Sequence, residues 1–176
     1  MSVLIPTSLV AIGHGGFTET NLTAGTNAAR LGTTVTASAT PNAEGAWTSL
    51  IDPTSRPSHG VWLRVTDTTL TANVANFLLD IGYGPTGGGN EIVVIPDLSV
   101  GVAGDALTCR AKNFFFPVYI PTGVRVSARC QASAASDILT LAIHLVESPL
   151  YATSGGLVSA YGADAANSRG TSVSPG

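Results

Sequence analysis

The sequence predicts an all-β protein: an antiparallel β-sandwich of jelly-roll type with extended N- and C-terminal arms. Three observations predict it. Seven short apolar runs, each bounded by turn residues, follow one another through the middle of the chain, as in a sandwich rather than in alternating helices and strands. No stretch of helical length repeats its apolar residues at three- and four-residue spacing. Gly (20) and Pro (10) punctuate a chain of 176 residues in which only 11% are charged. That composition excludes a coiled coil or helical bundle, which would be rich in Glu, Lys and Arg. It also excludes a basic nucleic-acid binder. The formal charge is −3 and Lys112 is the single lysine, whereas phosphate neutralisation needs clustered cations. With 44% hydrophobic residues the chain has enough apolar material for a core.

The strands are assigned in order over residues 46–147. Ala46–Ile51 contains Trp47 and stops at Asp52–Pro53. Val61–Thr66 alternates, with Val61, Leu63 and Val65 on one face and Trp62, Arg64 and Thr66 on the other. Phe77–Tyr83 follows and ends in the glycine-rich Gly84–Gly89. Glu91–Leu98 is a β-branched run closed by Pro96. Phe114–Ile120 is interrupted by Pro117, which predicts an edge strand or a bulge. Three consecutive phenylalanines cannot all face inward in a regular strand, so at least one of Phe114–Phe116 points the other way. Val124–Gln131 sets Val124, Val126, Ala128 and Cys130 against Arg125, Ser127, Arg129 and Gln131. Ile138–Val146 sets Leu139, Leu141, Ile143 and Leu145 on one face.

Residues 1–45 read as an N-terminal arm, small, polar and turn-rich, with one short β run at Thr33–Ala37. Residues 148–176 read as a C-terminal arm of similar composition. The two share an echo: GTNAA at Gly25–Ala29 against GADAA at Gly162–Ala166, then GTTV at Gly32–Val35 against GTSV at Gly170–Val173. Either low-complexity similarity or a tandem relationship between units accounts for it. Such segments bury little alone and order on a neighbour, so both arms are expected to cross to adjoining chains and to add strands at sheet edges. The first residues lack a basic n-region and are interrupted by Pro6, so no secretion signal or membrane span is expected. Cys109 and Cys130 are accordingly read as two reduced, buried thiols.

No catalytic, cofactor or metal site is predicted. His14, His59 and His144 lack the close ligand spacing of a zinc site. Ser55–Gly60 brings Ser and His near Asp52 in sequence, but without a nucleophile-elbow motif it reads as a proline-defined loop. Gly82–Glu91 lacks the ending of a phosphate-binding loop. Asp80, Glu91, Asp97, Asp105 and Asp137 are scattered, so no acid–base pair for glycoside hydrolysis and no calcium loop stands out. Two surface readings remain. Arg110, Lys112, Arg125 and Arg129 form either an ordinary solvated sheet face or a basic patch meeting an acidic neighbour. Trp62, Tyr83, Phe114, Phe115, Tyr119, Tyr151 and Tyr161 belong either to the core or to a sugar-stacking platform. The candidate interface residues are therefore Trp62, Tyr83, Arg110, Lys112, Phe115, Arg125, Arg129, Tyr151 and Tyr161.

The blocks LLDIGYGPTGGGNEIVVIPDL and FFFPVYIPTGVRVSARCQ, after a VWLRV strand, resemble a module that recurs in structural proteins of tailed bacteriophages. The matching positions are Asp80–Gly82, Val94–Pro96, Phe116–Pro121, Gly123, Arg125 and Ala128–Gln131. The resemblance implies a non-enzymatic virion structural protein, assembled in the host cytoplasm. Its expected role is a capsid decoration or cement protein bound to the major capsid protein or another virion protein. Analogy with other virion jelly rolls implies a homotrimer. The alternative is a carbohydrate- or receptor-binding module of a tail fibre or spike, with a host surface glycan as partner. The resemblance carries no catalytic residue, cofactor, nucleic-acid partner or membrane insertion.

Overall fold

The computed structural model describes residues 17–21, 32–69, 74–103, 112–146 and 158–171, and among these there is no helix. Nine main strands run in order: β1 (Phe17–Asn21), β2 (Thr33–Thr36), β3 (Thr48–Ile51), β4 (Gly60–Thr69), β5 (Val74–Gly84), β6 (Ile92–Ala103), β7 (Lys112–Phe116), β8 (Arg125–Ala132) and β9 (Ile138–Val146). A two-residue ladder, β10 (Ala163–Asp164) with β11 (Arg169–Gly170), follows them. One sheet has the order β1-β9-β4-β7, with β2 also on β9; the other has the order β3-β8-β5-β6. All pairings are antiparallel, and the two sheets form a β-sandwich. The chain pairs as one long hairpin would: β2 with β9, β3 with β8, β4 with β7 and β5 with β6.

The core forms where the two inner rows meet. Val61, Leu63 and Val65 of β4 and Leu139, Leu141, Ile143 and Leu145 of β9 face Phe77, Leu79 and Ile81 of β5 and Val126, Ala128 and Cys130 of β8. These are the rows the alternation assigns, since a period of two buries every second side chain of a half-covered sheet. β7 is an edge strand and ends at Phe116, before Pro117, because proline cannot donate to a ladder. Pro96 lies within β6, the edge of the other sheet, and is followed by Asp97 with φ of 46° and by shifts in the β5–β6 register.

Two expectations about the arms are corrected. The sandwich begins before Ala46. β1 and β2 lie end to end along one edge of β9, Thr33–Thr36 opposite Ile138–Leu141 and Phe17–Asn21 opposite Ile143–Val146. The short TTVT run looks too weak to be a core strand, but Val35 enters the core completely while β9 supplies the ladder. Gly32 turns the chain into this strand with φ of 142°, and a Cβ there would overlap the Leu141 carbonyl. The described part of the C-terminal segment, 158–171, lies against this chain's own sheets. Val158 packs on the core, and the Gln131 amide of β8 donates to the Ala165 carbonyl and the Ser168 hydroxyl at 2.8 and 3.1 Å.

Candidate interaction surface

The outer face of the β1-β9-β4-β7 sheet carries a row of rings. Register sets His144 of β9, Trp62 of β4 and Phe115 of β7 side by side. Each faces away from the core because its chain neighbours Ile143, Leu63 and Phe114 or Phe116 face toward it. Trp62 and Phe115 are 42% and 37% exposed, with ring centres 6.1 Å apart at 52°. The Phe115 ring lies over Gly60, where any Cβ would collide with it. Further along, exposed Tyr119 packs against His59 at 5.3 Å. Arg64, two residues beyond Trp62, is exposed and pairs in register with Asn113 and Ala142. Burial, together with the Arg64 charge, pushes the pKa of His144 down, so the imidazole in this row is neutral at pH 7. Phe114 and Phe116 stack on each other toward the core while Phe115 points out.

The opposite sheet carries the acid–base contacts. Asp80 and Arg129 are direct cross-strand partners on β5 and β8. Asp80 Oδ2 accepts from Arg129 Nε at 2.9 Å, and Oδ1 accepts from the Asp97 amide at 2.8 Å. Arg129 also pairs with Glu44 and lies over the Trp47 ring at 4.7 Å. Asp97 titrates above the ordinary carboxylate range, first because it is partly buried and then because Asp80 is near, with Arg129 opposing. Arg125 pairs with Glu91 and donates from Nε to Ser127 at 2.7 Å, and its guanidinium fills the space a Cβ on Gly88 would need. Both arginines thus bind carboxylates of their own chain. Of Arg110, Lys112, Arg125 and Arg129, read as a solvated face or a basic patch, Arg125 and Arg129 have side chains only 13% and 23% exposed; beside them on β8 Ser127 and Gln131 are buried, Gln131 against the 158–171 segment.

Other sites resolve as follows. Tyr83 is half-buried against the core, and Lys112 is exposed at the start of β7. Tyr161 is 93% exposed. Arg110, Tyr151, Cys109, His14 and Asp105 lie outside the described residues. Cys130 is a buried free thiol whose pKa is pushed up to about 12, chiefly by burial and then by Asp137. Asp52 accepts from the Gly87 amide at 3.0 Å, and His59 lies against Tyr119. Among the described residues no group of three His, Cys, Asp or Glu side chains is placed to hold a metal ion, and no helix is long and apolar enough to cross a membrane. A cleft of about 260 Å³ lies between β6 and the C-terminal segment, lined by Ile95, Leu98, Phe116, Val158 and Tyr161 among others.

Sequence reasoning misses the Asp80–Arg129 pair, although both residues stand in the two blocks that resemble the phage module. In the structure those blocks are register partners: Asp80, Ile81 and Gly82 lie opposite Arg129, Ala128 and Ser127. No protein-family model matches the chain. No curated protein matches it. Among solved structures it is similar to the Eiger TNF from S. frugiperda, at 9% identity and a TM-score of 0.28, over 56% of this chain and 64% of that one.

Proposed function

We propose that this chain is a non-enzymatic structural protein of a tailed bacteriophage virion, a capsid decoration or cement protein that assembles with itself as a trimer and with the major capsid protein or another virion protein. One observation carries the reading. Asp80–Gly82 and Ser127–Arg129, the parts of the two blocks on β5 and β8, pair as the scaffold of one sheet, joined by Asp80 and Arg129, while the opposite sheet, which takes the start of the second block as β7, turns Trp62 and Phe115 outward. A rigid framework with an exposed aromatic face suits a protein that works by contact. The hairpin-like pairing of β2–β9, β3–β8, β4–β7 and β5–β6 supports reading the sandwich as a jelly roll.

A second reading rests on the same rings. A row of exposed aromatic faces beside Arg64 and Asn113 can stack the C–H face of a sugar and hydrogen-bond its hydroxyls. In that reading the chain is the receptor-binding module of a tail fibre or spike, with a host glycan as ligand. A pull-down of the full chain against empty capsids and against host-cell envelopes separates the two. Saturable capture by capsids supports the decoration role. Capture by envelopes alone, lost with Trp62→Ala, overturns it in favour of the glycan reading.

A further inference from the structure

We propose that the Trp62–Phe115 patch binds an acidic saccharide, a pyranose ring bearing an anionic group, and that Arg64 selects the anion. The inference rests on the glycan reading and names the class of sugar. Four side chains make the patch, two from each of two paired strands. Trp62 and Phe115 are register partners on β4 and β7, and two residues further along β4 the partners are Arg64 and Asn113. Residues two apart on a strand share a face, so all four point away from the core. All four are exposed. Paired strands lie about 4.8 Å apart, and two residues span about 6.8 Å along each, so the patch is about the size of a sugar unit.

Each half of the patch sets one property of the ligand. Trp62 and Phe115, 6.1 Å apart and tilted by 52°, offer ring surface to apolar C–H groups. The Asn113 amide both donates and accepts, as neighbouring hydroxyls require. Arg64 adds a charge that a neutral sugar would leave unused. Arg125, Arg129 and Arg169 meet carboxylates of their own chain, whereas among the described side chains no carboxylate meets Arg64. Its register neighbour on β9 is Ala142, whose methyl leaves the guanidinium uncovered on that side. The nearby His144 registers the charge: burial first, and then Arg64, lowers its pKa, as an uncompensated cation does. A guanidinium holds a carboxylate or a sulfate through two parallel bonds, which makes Arg64 the anion-selecting group. One cation beside ring-matched and hydroxyl-matched groups suits a single anionic sugar unit; an acidic protein segment calls for several cations.

Array binding of the full chain tests this, with oligomers of galacturonate, glucuronate and sialate each beside its methyl ester, a sulfated galactan, and polyglutamate. The wild type is expected to bind an acidic saccharide at least about tenfold more tightly than its neutral counterpart, the effect of one charge-assisted contact. The carboxylate and sulfate arms identify which anion Arg64 prefers. Arg64→Met is expected to abolish the difference while weak binding of the ester remains. Trp62→Ser is expected to weaken acid and ester alike. Arg169→Gln removes an equal charge elsewhere and is expected to change neither. All three positions are exposed, and circular dichroism melting verifies that each variant folds. Equal binding of acid and ester overturns the acidic class and leaves the glycan reading standing. Acid selectivity that survives Arg64→Met overturns the role of Arg64. Polyglutamate binding as tight as that of any saccharide assigns the patch to an acidic protein segment and overturns the proposal. Binding to no saccharide overturns this inference and the glycan reading together, and leaves the decoration role untouched.

Discussion

Replacing Asp80 by Ala tests the joint between the two motif blocks. Asp80 accepts the Arg129 guanidinium through one oxygen and the Asp97 amide through the other. The substitution removes a charge-assisted pair and leaves a backbone donor without its acceptor. Breaking a fully buried pair costs about 3–5 kcal/mol. Here the Arg129 side chain is 23% exposed and keeps Glu44, so solvent and a second carboxylate recover part of that. The expected loss is about 2–3 kcal/mol. For a chain of this size that lowers the thermal midpoint by about 5–10 °C. Asp80→Asn keeps the shape and an acceptor for Asp97, and should cost about half as much. Urea unfolding of Asp80→Ala, Arg129→Met and the double variant gives the coupling energy, expected to be at least about 1.5 kcal/mol. Additivity within about 0.5 kcal/mol would refute the reasoning, since the two blocks would then be neighbours without a productive bond.

Four further outcomes follow from the same structure. Leu63→Ala, at a fully buried position between the sheets, should cost about 3 kcal/mol in urea unfolding. Gly32→Ala should destabilise by more than about 1 kcal/mol, and hydrogen exchange should quicken at β2 first, because a Cβ meets the Leu141 carbonyl. His144 titrates below its ordinary 6.5 in the fold, so the unfolded chain binds that proton first as pH falls. Its contribution to stability is therefore complete above about pH 6.5 and lost as the pH drops through the lowered value, and His144→Gln should flatten the urea midpoint across that window. Cys130, with its thiol pushed up to about 12 and buried, should resist a thiol reagent at pH 8 in a Cys109→Ser background and react on unfolding.

The two sheets divide the motif residues: those on β5 and β8 pair with each other, whereas the Phe116–Pro121 stretch begins on β7 of the ring-bearing sheet and includes exposed Tyr119. Asp80–Gly82 and Ala128–Gln131 hold one sheet together, and Gly82 admits the Trp47 ring against the backbone. They say how the module is built. The ring row belongs to the other sheet, on β4, β7 and β9, where an outward side chain changes without disturbing the core.

Strand existence and inner rows were legible because period-two alternation is a local property of the chain, independent of which strand lies alongside. Val61, Leu63 and Val65, or Val126, Ala128 and Cys130, announce a half-buried strand wherever they are placed. Pro117 stops β7 by local chemistry as well, and the outward turn of Phe115 follows from pleat geometry. Burial of the other rows depends on what lands on them. Gln131 and Ser127 alternate with the inner row in sequence yet are buried, and Gln131 bonds to Ala165 and Ser168, 34 and 37 residues downstream. The pairing of Asp80 with Arg129, and of TTVT at Thr33–Thr36 with β9, depends on register across 49 and about a hundred residues. Alternation tells a strand which face to bury; only the closure of long-range pairs decides which strand it joins, which charges meet and which rings are left facing water.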